Sequence, residues 1–137
     1  MYITNSLIEF LHNSMILSDS NIILTDLNKV VFVASTDYNN YLNKNLNNSL
    51  KKLLILYSSD YIYDGYMNIS MNTIIPIVEN DDISKYKSQI ILPILHNDAI
   101  DGLLIFVTDK RKYLNSNLKY AKTAKHFVEI FSTENYL

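Results

Sequence analysis

Residues 86–109, YKSQIILPILHNDAIDGLLIFVTD, constrain the fold more than any other stretch. Ile90, Ile91, Leu92, Ile94 and Leu95 form one apolar run, and Leu103, Leu104, Ile105, Phe106 and Val107 form a second. Between them lie His96, Asn97 and Asp98, then Asp101 and a flexible Gly102. β-Rich apolar runs bounded by turn residues predict a hairpin in the middle of a sheet. Runs this continuous predict strands covered on both faces, so helices from elsewhere must supply at least one cover. Pro93 has no N–H to give a ladder and asks for an edge or irregular position. His96, a lone turn histidine, is expected to be exposed and inert.

The rest of the chain supplies the covers. In residues 2–18, Ile3, Leu7, Phe10, Leu11 and Met15 recur at helical spacing, with Thr4 or Asn5 as the cap. The bland role of that helix is to cover the core; its sharper role is dimerisation, because Ile8 and Met15 widen the apolar face. Residues 21–35 read as a first hairpin, with Asp26 bonding its own turn rather than a metal, since no acidic or His partner stands at ligand spacing. Residues 36–56 read as two helices. Asp37 is the expected cap of a short first one, and Leu46, Leu50, Leu53 and Leu54 form the stripe of the second. Lys44, Lys51 and Lys52 form its solvated side.

Residues 57–72, YSSDYIYDGYMNISMN, crowd tyrosines and methionines beside an Asp-Gly turn. Tyrosine offers apolar area with a polar tip, and methionine fills irregular gaps. If a small-molecule pocket exists, this segment is its expected lid, with Tyr57, Tyr61, Tyr63, Met67 and Met71 as the candidate ligand-binding residues. The bland reading makes them ordinary core edge. Residues 73–78, TIIPIV, read as a short strand. Glu79, Asp81 and Asp82 read as a solvated acidic loop, because the spacing lacks the glycine and distal glutamate of a calcium loop. Residues 114–133 read as the closing helix, capped by Asn115 or Ser116, with Leu118, Ala121, Ala124, Val128 and Phe131 as its stripe.

These elements describe one domain over residues 1–137: an α/β (α+β) sandwich with a central antiparallel sheet and the N- and C-terminal helices on one face. Several function classes are excluded or disfavoured. The chain has no cysteine, so thiol chemistry and disulfides are out, and a reducing cytoplasm fits. A net charge of -2 gives no support for nonspecific nucleic-acid binding. No run approaches the ~18 apolar residues of a membrane span, and Glu9 and His12 interrupt any signal-peptide pattern. His12, His96 and His126 share no metal-ligand spacing, and no phosphate loop or hydrolytic triad is legible. The expectation is a protein that is not an enzyme, with no metal and an unknown cofactor.

The element order is that of GAF and PAS sensory domains. NIILTDLNKVVFVAS followed by DYNNYLNKNL, then SQIILPILHNDAIDGLLIF, then AKTAKHFVEIF, resembles the GAF-like domain of the stage V sporulation protein T family of transcription regulators. The resemblance covers residues 20–131 except 57–73. Two departures stand out. The chain starts directly with its helix, without the DNA-binding domain that precedes the family's GAF-like domain, so no direct nucleic-acid contact is expected. Asn97-Asp98 also stands where the family's turn carries glycine. The cysteines of GAF-fold reductases and bilin carriers are absent, as is the cyclic-nucleotide motif. The resemblance implies a noncatalytic small-molecule-sensing and dimerisation module in transcription or sporulation control. Its partners would be a second copy bound through the terminal helices, an unidentified small molecule and a regulatory protein. The alternative is a structural adaptor that dimerises without a ligand.

Overall fold

In a computed structural model, the structure describes residues 1–57, 67–68 and 74–133. The order is α1 (Asn5–Ser18), β1 (Asn21–Thr25), β2 (Val30–Ala34), α2 (Asn48–Tyr57), β3 (Met67–Asn68), β4 (Ser88–His96), β5 (Ala99–Thr108) and α3 (Asn115–Phe131). Single 3-10 turns lie at Asn39–Tyr41 and Ile83–Lys85. The strands form one antiparallel sheet in the order β2-β1-β5-β4-β3.

The expected hairpin is the centre of that sheet. Along it, side chains alternate between two cores. Ile90, Leu92, Ile94, Leu104 and Phe106 pack under α1 and α3, with Leu7, Leu11, Ala121, Ala124 and Val128. Ile91, Leu103, Ile105 and Val107 face the other way, against Leu46, Leu50 and Leu54. Both sheet faces are therefore covered, and the terminal helices share one of them. Burying such a side chain contributes about 1.5–3 kcal/mol, which is why the sequence keeps both parities apolar.

The turn is tighter than the sequence suggests. Asn97 and Asp98, at φ 53° and 64°, form the whole two-residue loop, and His96 already pairs with Ala99. Residues with φ > 0 at both central positions match the strands' twist. Asp101 and Gly102 lie inside β5, so Gly102 is no hinge. A Cβ there would sit 1.9 Å from the Thr25 carbonyl oxygen of β1, so the position needs glycine for space.

Helix ends are closed as their chemistry requires. Thr4 accepts a hydrogen bond from the Leu7 N–H (3.1 Å) and donates its hydroxyl to the Phe131 carbonyl (2.7 Å), which ties α1 to the end of α3. Arg111 donates to the Ser18 carbonyl (2.9 Å), placing a cation at the C-terminus of α1. Asp26 accepts from Asn28 and Lys29 N–H at 2.7 and 2.8 Å, the turn role read from the sequence.

Several expectations are corrected. Asp37 caps nothing; the Ser35 hydroxyl accepts from the Asp37 and Tyr38 N–H groups instead, both at 2.9 Å. Leu114, not Asn115 or Ser116, precedes α3, and its N–H is met by the Asn117 side chain at 2.7 Å. Residues 74–77 form no strand. The Gln89 side-chain amide pairs with the Ile75 N–H (2.9 Å) and carbonyl (2.8 Å), so a side chain satisfies the backbone where a neighbouring strand was expected. Leu46 precedes α2 and is held by a bridge to Val78.

Candidate functional site

The face away from the terminal helices carries the most concentrated polar chemistry. The 3-10 turn after β2 presents Tyr38 and Tyr41. The second 3-10 turn, Ile83–Lys85, is capped by Asp82, whose carboxylate accepts from the Ser84 N–H (3.0 Å) and hydroxyl (2.6 Å). Those bonds hold the Asp82 carboxyl below its usual range. This turn delivers Lys85 and Tyr86 to the same place. Asn80, at φ 60°, bends the chain between them and brings in Asp81.

Asp81 is the hub. Its side chain is 1% exposed. It accepts hydrogen bonds from the Tyr41 hydroxyl, the Tyr86 hydroxyl (2.8 Å) and the Ile77 N–H (2.9 Å). The two phenol oxygens are themselves 2.7 Å apart. Each phenol has one proton, so the three phenol and carboxylate contacts share two protons, and the site retains capacity for a further donor. Burial foremost pushes both phenols above their ordinary range; for Tyr41 the bond to Asp81 adds to it, and for Tyr86 the bonds to Tyr41 and then Asp81 do. Burial, then Asp109 and Asp37, does the same for Tyr38.

The three rings make a cage, and Lys85 fills it. Its ammonium lies 4.6 Å from the Tyr41 ring centroid, 4.8 Å from Tyr38 and 5.5 Å from Tyr86, all within cation–π range. It stands 3.7 Å from Asp81, an ion-pair distance but too long for a hydrogen bond. Beside the cage opens a cleft of about 550 Å³ that includes Asn40, Asn43, Asn45, Glu79 and Asp82 in its lining. A more apolar cleft of about 540 Å³ lies between α2 and the β4–β5 turn, bounded by Leu54, Ile55 and Ile100.

The acidic loop is therefore only partly solvated: Glu79 and Asp82 are exposed, while Asp81 is interior. The local sequence alone does not place this carboxylate inside, because one of its partners, Tyr41, stands forty residues earlier in the chain. Of the residues picked from the sequence, Tyr57 ends α2, the helix that covers this face, and Met67 pairs in β3 with Ile91 of β4. Tyr61, Tyr63 and Met71 lie outside the described residues.

A second polar group sits at the hairpin tip. His96 is only partly exposed; its Nδ1 is 2.8 Å from Asp101, and its Nε2 is 3.3 Å from the Ser132 hydroxyl. Ser132, His96 and Asp101 thus line up in triad order. The hydrogen-bond polarity disarms the array. Nε2 also lies 3.0 Å from the Glu129 carbonyl, nearer than the serine hydroxyl, so the serine is not its nearest partner. Ser132 is buried and donates to the Val128 carbonyl at 2.6 Å. The group instead ties the hairpin to the end of α3. Glu129 reinforces it, accepting from the Leu95 N–H (2.8 Å) and Lys125 (2.7 Å). Among the described residues no His, Asp and Glu cluster could hold a metal, and no helix is long and apolar enough to cross a membrane.

The comparisons agree with this architecture. No curated protein matches the sequence. The structure is similar to the cofactor-binding GAF domain of the nutrient sensor CodY from Clostridium difficile, with a TM-score of 0.61 and 11% identity over 95% of this chain and 85% of that one. It is also similar to the blue-light absorbing form of the Thermosynechococcus elongatus PixJ GAF domain, with a TM-score of 0.55 and 12% identity over 93% of this chain and 90% of that one. At such identities the likeness establishes the fold, which is that of a GAF domain. The family model for the C-terminal region of stage V sporulation protein T, a transcription factor, matches residues 3–129, and the chain belongs to that family.

Proposed function

We propose that this chain is a noncatalytic, cytoplasmic GAF module that senses a small molecule and dimerises, and that it serves transcription or sporulation control in a spore-forming bacterium. The observation that carries the reading is the division of labour between the two sheet faces. One face holds buried polar groups beside open clefts and is covered by α2. The other holds the terminal helices.

Those helices run antiparallel and expose apolar surface. Phe10 of α1 packs on Phe127 and Phe131 of α3, with centroids 5.3 and 5.7 Å apart. Phe127 remains 42% exposed and Ile130 64% exposed, with Ile3 beside the same helix ends. Aromatic residues with exposed apolar neighbours suit the centre of an interface between two copies. The sheet couples the faces, since Ile91 belongs to one core and Ile90 and Leu92 to the other. A ligand shifts the dimer only if it binds one arrangement of these strands better than another. A regulatory protein would read the dimer.

Absence of catalysis is supported by the buried Ser132 hydroxyl, which donates to the Val128 carbonyl at 2.6 Å and so is not aimed at His96 in the triad-like array. Family membership supports the regulatory role. The sensing role draws on the similarity to a domain described as cofactor-binding.

One observation favours the adaptor reading: Lys85 already fills the tyrosine cage, as a vestigial pocket would be filled. Dimerisation is tested by sedimentation velocity on Phe127→Asp and Ile130→Asp. The expected result is a dimeric parent and monomeric variants of unchanged circular dichroism. A parent that sediments as a monomer at micromolar concentration would remove the dimer from the account.

A further inference from the structure

We infer that the Tyr38–Tyr41–Tyr86 cage over Asp81 is a binding site for small aliphatic amines, and that Lys85 is its displaceable internal occupant. This rests on the sensing role proposed above and names the ligand class.

Three features point to an ammonium group. First, the cage already holds one: the Lys85 ammonium sits over three rings at 4.6–5.5 Å. Electron-rich ring faces attract cations, and several rings around one point select an ammonium over a neutral group of equal size. Second, the internal occupant fits imperfectly. Its tether leaves it 3.7 Å from Asp81, without a hydrogen bond to the carboxylate. A free ammonium can approach to hydrogen-bonding distance of Asp81 Oδ1 and supply the extra donor that the phenol and carboxylate oxygens can use. A charge-assisted bond of that kind is roughly twice as strong as a neutral one.

Third, the charge of the neighbouring cleft complements a cation once Lys85 leaves. Glu79, Asp81 and Asp82 then face a single ammonium, that of Lys44. The cleft of about 550 Å³ has room for a short alkyl chain, and Glu79 and Asp82 in its lining offer carboxylates to a second ammonium. A short diamine is thus the best-matched member of the class.

Lys85 sets the threshold. A tethered occupant lowers apparent affinity by the fraction of time the cage is free, so a cage open about one-tenth of the time weakens an external amine about tenfold. Displacement swings Lys85, which ends the Ile83–Lys85 turn, away from Tyr86 at the entrance to β4. That movement reaches the sheet directly.

The test is calorimetric titration of the full chain with putrescine, with butanediol as the neutral isostere. The expected result is weak binding to the parent, binding about tenfold tighter to Lys85→Ala, and loss of that binding in Lys85→Ala with Asp81→Asn. Lys85 is partly exposed, so its truncation leaves the core intact, which circular dichroism checks. Equal affinity for parent and Lys85→Ala, or equal affinity of Lys85→Ala for diol and diamine, overturns the inference. A second reading uses the parent alone. Ring currents should shift the Lys85 ε-methylene protons upfield, and putrescine should return them downfield; ordinary shifts without ligand would show that the cage is empty and overturn the mechanism. The two proposals fail separately: a ligand recovered from the native protein that carries no amine removes the ligand class and leaves the sensing role standing.

Discussion

Truncating Asp81 to alanine should cost this fold about 2–4 kcal/mol, a magnitude that follows from counting donors. Asp81 accepts from Tyr41, from Tyr86 at 2.8 Å and from the Ile77 N–H at 2.9 Å. Without the carboxylate, one phenol can donate to the other across their 2.7 Å separation. The second phenol and the Ile77 N–H are left without acceptors. A buried donor without a partner costs about 1–3 kcal/mol, so the pair costs about 2–6. The adjacent cleft admits water to part of the site, which favours the lower half of that range. Asp81→Asn keeps one acceptor oxygen and should cost about half as much. The assay is urea unfolding followed by circular dichroism, since the chain has no tryptophan to report by fluorescence. With a urea slope of about 1.5 kcal/mol per molar, the midpoint of Asp81→Ala should fall by about 1.3–2.7 M. A fall below about 0.3 M, or equal losses for the alanine and asparagine variants, would refute the reasoning that Asp81 is an interior hub.

Other consequences are as concrete. Gly102→Ala drives a methyl into the Thr25 carbonyl of β1, so it should destabilise by about 3 kcal/mol in the same urea assay; a loss under about 0.5 kcal/mol would show that β1 yields freely. Burial raises the phenols of Tyr38, Tyr41, Tyr86 and Tyr113 in the folded state. Because the folded chain then holds protons that the unfolded chain releases, their contribution is fully present below about pH 10 and is lost as pH rises beyond it, by up to about 1.4 kcal/mol per pH unit per group. Urea midpoints between pH 9 and 11.5 should fall steeply for the parent and less so for a Tyr41→Phe, Tyr86→Phe double variant. Identical slopes would contradict the assignment.

The hairpin of residues 86–109 was legible because its information is local. Continuous apolar runs, a polar break between them and strand length all agree, although the turn proves tighter than the polar residues suggest, and side chains along the hairpin alternate between two cores. The capping threonine of α1 and the turn role of Asp26 were legible for the same reason, as each bonds within three residues of itself. Residues 74–77 misled because β-branched side chains favour extended backbone without supplying a partner strand; Gln89, fourteen residues from Ile75, decides that segment. His96 misled similarly. A turn-end histidine reads as exposed until α3 brings the Glu129 carbonyl to its ring. The cage was the least legible, since Tyr38, Tyr41, Asp81, Lys85 and Tyr86 come from two distant loops and each reads alone as surface or core edge. The cue within reach was compositional: an aromatic pair three residues apart, and an acid with a cation four residues later.

The central claim is that this GAF module holds a small molecule on one sheet face and a second copy of itself on the other. Native mass spectrometry of the full chain, purified without denaturation, addresses both halves in one spectrum. The account predicts a dimer carrying a reproducible added mass that denaturation releases. A dimer of bare chains, with no thermal shift on adding metabolites, would contradict the sensing half and leave an adaptor; a bare monomer would contradict the whole.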